Sequence, residues 1–279
     1  MPITPSSSSA GRRRSAQLLE WAGRALQARQ FAEAERFAVE VLKKDRTDIA
    51  AASILGRALL ALNRGREAIA PLQKAAQGRD PAIEMLLGAA LGSAGRVEEA
   101  IELLRGTTAQ RPPFLPAFQE LAGQLARAGR VKEAIAVIES GIELIPQNVD
   151  LRLDLARLHL HHNDRKEARS ILSAARDAAP GRPEIWIAFA RVLVQDGEYA
   201  SAADAYRHAL GHRPDDAFAR ADLATCLLET GDRGGGEASL RLAYRSGSHM
   251  LGRTTHALAA SSHGRFFFRP STAVKFLLG

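Results

Sequence analysis

The chain has 279 residues, a net charge of +7 and one cysteine, which excludes an internal disulfide framework. Hydrophobic residues make up 46% but aromatics only 5%, and Ala and Leu dominate the apolar share, so helices are favoured over strands. No run approaches the roughly 18 apolar residues of a membrane span, and MPITPSSSSAGRRR lacks the apolar core of a secretory signal, so a cytoplasmic chain in a reducing compartment is expected.

Residues 1–14 read as a disordered, Ser-rich, basic tail, a simpler account than an organelle transit peptide. Of the net charge, three lie on Arg12, Arg13 and Arg14 and six in the acid-free stretch from Ala238 to Gly279, leaving −2 between Glu20 and Glu237. The ends are basic and the body is not.

From Ser15 the sequence repeats itself, with seven units at 15–48, 49–80, 81–114, 115–148, 149–182, 183–216 and 217–250. Position 8 of the unit reads Ala22, Gly56, Gly88, Ala122, Ala156, Ala190 and Ala224, and position 20 reads Ala34, Ala68, Ala100, Ala134, Ala168, Ala202 and Gly236. Such side chains let two helices approach closely. Position 15 carries Asn63, Gly95, Gly129, Asn163, Gly197 and Gly231, residues suited to the left-handed end of a helix, and position 32 carries Pro112, Pro146, Pro180 and Pro214, which cannot continue one. The unit Pro183–Asp216 adds Trp186, Phe189, Leu193, Tyr199 and Tyr206 at positions 4, 7, 11, 17 and 24. This pattern resembles the tetratricopeptide repeat, a 34-residue helix-turn-helix. The resemblance implies an all-α fold: a right-handed α-solenoid of antiparallel helix pairs with a C-terminal capping segment. The first unit is weaker, with Arg29 at its turn, and in the seventh the run Gly234, Gly235, Gly236 predicts a second helix that starts late or frays.

Residues 251–279 depart from the repeat: a helix over LGRTTHALAASS, then three phenylalanines, then a short final helix signalled by Pro270 and Ser271, with Ser271 as its cap. These capping helices are expected to cover the end of the stack, with Arg265, Phe266, Phe267, Phe268 and Arg269 as the alternative, an exposed basic-aromatic anchor.

The resemblance also implies a groove lined by positions 2, 5, 9, 12 and 13. Carried onto this chain, it is represented by Arg57, Met85, Gln119, Arg127, Leu153, Arg157, Leu160, Ile187, Arg191 and Val194. Apolar side chains beside arginine suit a carboxylate-bearing partner. The family's clamp for chaperone C-termini needs Lys and Asn at positions that hold neither here, so that role is disfavoured.

Chemistry is sparse. His159, His161 and His162 do not converge on one helix face, Cys226 falls at an inward position, and no phosphate-binding loop occurs, so no catalytic residue, metal or cofactor is expected. The leading expectation is a non-catalytic scaffold that binds a protein or peptide, of acidic character, in the groove, with no small-molecule substrate. The alternatives are a regulatory or substrate-presenting subunit of a protein- or glycan-modifying enzyme or of a bacterial assembly or secretion complex, and nucleic-acid or membrane-surface binding through the basic ends. The Ala, Arg and Gly richness suggests a GC-rich bacterial genome.

Overall fold

The computed structural model describes residues 7–265 and 269–278. Among these the only regular elements are helices, and two compact bodies divide the chain at Pro146. The N-terminal body holds the pairs α1 (Ser7–Gln27) and α2 (Phe31–Leu42), α3 (Ile49–Ala61) and α4 (Gly65–Ala75), α5 (Pro81–Ser93) and α6 (Val97–Thr108), and α7 (Leu115–Arg127) and α8 (Val131–Leu144). The C-terminal body holds α9 (Val149–His161) and α10 (Arg165–Ala178), α11 (Pro183–Gln195) and α12 (Tyr199–His212), α13 (Ala217–Glu229) and α14 (Arg233–Arg245), then α15 (Leu251–Ala260) and α16 (Pro270–Leu278). No helix among the described residues is long and apolar enough to cross a membrane.

The repeat's landmarks fall where the sequence places them. Each first helix from α3 to α13 occupies positions 1–13, and each second helix from α2 to α14 begins at position 17. Between them, position 15 has φ between 58° and 86° in all seven repeats, from Arg29 to Gly231. That backbone costs an L-residue about 1–2 kcal/mol, glycine nothing. Arg29 adopts it all the same, so the first turn has the common geometry despite its cation. Four first helices are capped by Asp48, Asp80, Asn148 and Asp216, whose side chains accept backbone N–H bonds.

Packing follows from size. The alanines at position 20, from Ala34 to Ala202, are fully buried. Small residues at position 8 face large ones at position 24: a Cβ on Gly88 would lie 2.7 Å from Leu104, and one on Gly56 3.0 Å from Leu72. The second repeat is shorter because α4 stops at Ala75 and a single 3₁₀ turn, Ala76–Gly78, leads through Arg79 at φ 52° to the Asp80 cap.

Two expectations need correction. α14 neither starts late nor frays at its glycines: it begins at Arg233, where the Asp232 carboxylate accepts the Gly235 N–H at 2.9 Å. A Cβ on Gly236 would lie 2.6 Å from Leu228 and 3.2 Å from the Ala224 carbonyl, so packing requires a glycine there. At the other end, α1 runs unbroken from Ser7 through Ser15, so no break in the helix marks the border of the proposed tail.

α15 starts at position 1 of a would-be eighth repeat, but its position 8 is Leu258, fully buried against the end of the C-terminal body with Met250 and Leu277. A bulky side chain fits because no regular second helix follows. α16 packs on α14 instead, with Arg241 donating to the Phe276 carbonyl at 3.1 Å.

Candidate functional groove

First helices of consecutive repeats are the elements that carry the candidate groove residues. In the N-terminal body they pack directly: α3 lies on α5 and α5 on α7. Glycine permits it, since a Cβ on Gly92 would fall 2.0 Å from the amide of the fully buried Gln124. Gln124 donates to Glu120 at 2.8 Å, and its own carbonyl oxygen has no partner. On this face Arg57 is exposed, Met85 is half-buried against the core, Gln119 is half-buried, and Arg127 reaches Glu120 at 3.2 Å.

In the C-terminal body α9 and α11 approach less closely, and a concavity of about 210 Å³ opens between them. Leu160 stands where the third repeat has Gly92, and it lines this space with Leu153, Ala156, Leu172, Ile187 and Ala188. The structure thus brings five of the expected groove residues to one place: Leu153, Leu160 and Ile187 as an apolar floor, Arg157 and Arg191 at the rim. Val194 packs on the neighbouring core outside that lining.

Neither arginine is without an internal acid. Arg157 bonds Asp154 at 2.9 Å one turn earlier, and Arg191 lies 3.9 Å from Asp222. Asp222 also bonds Arg253 of α15 and accepts a long 3.5 Å contact from the buried Tyr206 hydroxyl. Burial first, then the Asp222 charge, raises the Tyr206 hydroxyl and pushes the Cys226 thiol up to about 12, so Cys226 is held as a neutral core thiol. The remaining charge on the lining, Glu184, is bonded by Arg182 and Arg213.

The sequence reading passed over Asp222, Glu184, Arg253 and Phe218. Phe218 sits at position 2, half-exposed, with the Arg253 guanidinium 5.4 Å above its ring. Reading position 2 across all repeats would have found it; Arg253, from a segment outside the repeat, had no such signal. A second concavity of about 250 Å³, between α13 and α15, is lined by Asp222, Thr225, Glu229, Arg253, His256 and Ser261.

At the C-terminus, Arg265 is exposed but bonded: its guanidinium donates to Glu237 at 2.6 Å and lies over the Phe276 ring at 5.1 Å. Glu237, nearly buried, is also bonded by Arg233 at 3.1 Å. Burial would raise that carboxyl, but the Arg265 and Arg233 bonds outweigh it and hold it below the usual carboxylate range. Arg269 is exposed, and Phe266, Phe267 and Phe268 lie outside the described residues. His159 Nδ1 is 3.6 Å from Asp164, while His161 and His162 are exposed; among the described residues no three His, Cys, Asp or Glu side chains are grouped to hold a metal.

Two family models, both described as Tetratricopeptide repeat, match the chain, one at residues 56–114 and 85–149, the other at 125–192 and 193–243. No curated protein matches. Among solved structures, a tetratricopeptide repeat protein from Parabacteroides merdae is similar over 96% of this chain and 100% of its own at 14% identity and a TM-score of 0.60. A thermophilic protein of the same repeat type from Thermus thermophilus is similar over 64% of this chain and 99% of its own, at 24% identity and a TM-score of 0.53. At these identities the likeness speaks to the fold.

Proposed function

From the premise that this chain belongs to the tetratricopeptide-repeat family, whose fold generally mediates protein–protein interaction, we propose that it is a non-catalytic scaffold holding a protein or peptide of acidic character on its first-helix face. The observation that carries this reading is the concavity between α9 and α11, where an apolar floor is flanked by two arginines. Desolvated apolar surface supplies affinity and the guanidiniums supply selection for carboxylates. The acidic groups within the same face orient these arginines without neutralising them fully, because both side chains stay more than half exposed, Arg157 at 66% and Arg191 at 58%.

Selection of random displayed peptides on the immobilised full chain tests the reading. Retained peptides are expected to lose binding to the Ile187→Glu variant, which puts a charge into the apolar floor while leaving the fully buried core intact. Peptides that bind Ile187→Glu as well as the unmodified chain would contradict it.

A further inference from the structure

The concavity between α9 and α11 has a defined size and a defined pattern of charge. An apolar cavity of about 150 Å³ accepts a benzene ring; this one measures about 210 Å³ and is floored by Leu153, Leu160 and Ile187. Arg157 stands on one helix and Arg191 on the other, so cations flank the apolar floor on both sides. Each keeps donors to spare. A guanidinium has five N–H groups; Arg157 uses one bond to Asp154, and Arg191 uses one toward the Tyr206 hydroxyl, its contact to Asp222 being 3.9 Å long with Arg253 already bonded to that carboxylate. Glu184, the only carboxylate on the lining, is held by Arg182 and Arg213, so it does not offset the two rim cations.

Resting on the groove reading above, we infer that the fifth and sixth repeats recognise a short extended acidic–apolar–acidic segment. One phenyl-sized side chain fills the concavity, and a carboxylate two residues to either side meets Arg157 and Arg191. Alternate residues of an extended chain point to the same face, so the three side chains reach the groove together. Five such residues place the carboxylates about 13 Å apart along the backbone, at about 3.3 Å per residue, a span that two long arginine side chains on neighbouring helices bridge. Bidentate guanidinium–carboxylate bonds then fix the segment's register.

The probe is a fluorescein-labelled peptide with the core Glu-Ser-Phe-Ser-Glu, titrated against the full chain by anisotropy. Binding is expected to be at least about tenfold tighter than for the Gln-Ser-Phe-Ser-Gln or Glu-Ser-Ala-Ser-Glu counterparts, about 1.4 kcal/mol each. The double variant Arg157→Glu, Arg191→Glu is expected to lose the acidic probe and to bind Lys-Ser-Phe-Ser-Lys instead, a gain that a merely unfolded variant would not show. Equal affinity for the Gln counterpart, no effect of the double variant, or no binding of the probe at all would overturn the motif while peptides selected on the groove still bind. Probe binding that survives Ile187→Glu would instead bring down the groove reading itself.

Discussion

The two bodies use one repeat to opposite ends. In the N-terminal body glycine lets first helices close on each other, as Gly92 does against Gln124. In the C-terminal body Leu160 takes the corresponding position and the interval between α9 and α11 opens. Charge is inverted as well. At the residue before the second helix the N-terminal body carries Arg64, Arg96 and Arg130, each bonded to a glutamate one turn on, whereas the C-terminal body carries Asp164, Glu198 and Asp232. Arg64 also bonds Glu35 of the preceding repeat, while Arg169 bonds Glu198 of the following one, the same pair of repeat positions with signs exchanged. Small residues and left-handed turns therefore set the fold, and what varies around them decides where a groove opens.

Breaking the close layer should have the largest effect. Gly92→Leu drives a side chain into the buried Gln124 amide and is expected to cost about 3 kcal/mol in denaturant unfolding, near the top of the overpacking range. Leu160→Ala, at the matching position, removes a half-buried group beside open space and should cost about 1 kcal/mol. Equal losses would erase the contrast between the bodies. Next come the turns: Gly129→Ala should destabilise by about 1–2 kcal/mol, and Arg29→Gly, at the same left-handed position, should stabilise by up to about 1 kcal/mol. Arg29→Gly lowering the melting temperature would show that its side chain has a stabilising role there.

Both bodies hold carboxylates below their usual range, Glu67, Glu99 and Glu133 in the N-terminal body and Glu237 in the C-terminal one, but only Glu237 among these is buried. The Glu237 carboxyl is held below its ordinary value, so its contribution is present above the unfolded value and lost as pH falls through the folded one. With Trp21→Phe, Trp186 is the one remaining tryptophan and reports on the C-terminal body; Glu237→Gln should lower its stability near neutral pH and make its stability fall less steeply as pH drops. The smallest effect is expected from exchanging Glu35 and Arg64: Arg64→Glu lowers the unfolding midpoint slightly, and adding Glu35→Arg recovers part of it.

Most of the fold could be read from the chain because its constraints are local and periodic. Small residues at positions 8 and 20 leave a mark in every repeat, and a glycine or asparagine at 15 in all but the first. Arg29 and the glycines of α14 misled for the converse reason: the turn tolerates an arginine, and Asp232 initiates a helix that propensity alone would delay. That Arg157 and Arg191 line one concavity follows from their sharing one position in successive repeats. Their acidic neighbours were partly legible, since Asp154 is one turn away but Asp222 belongs to the next repeat. Arg265 was least legible, because its contact with Glu237 joins residues 28 apart across the end of the repeat pattern.

Methyl NMR of the full chain, titrated with a peptide selected on it, shows whether a partner is held on the first-helix face of the fifth and sixth repeats. Saturable shifts are expected at Leu153, Leu160 and Ile187, with little change at Leu242 and Leu278, the exposed apolar residues of α14 and α16. Shifts confined to Leu242 and Leu278, with the α9 and α11 methyls unmoved, would contradict it.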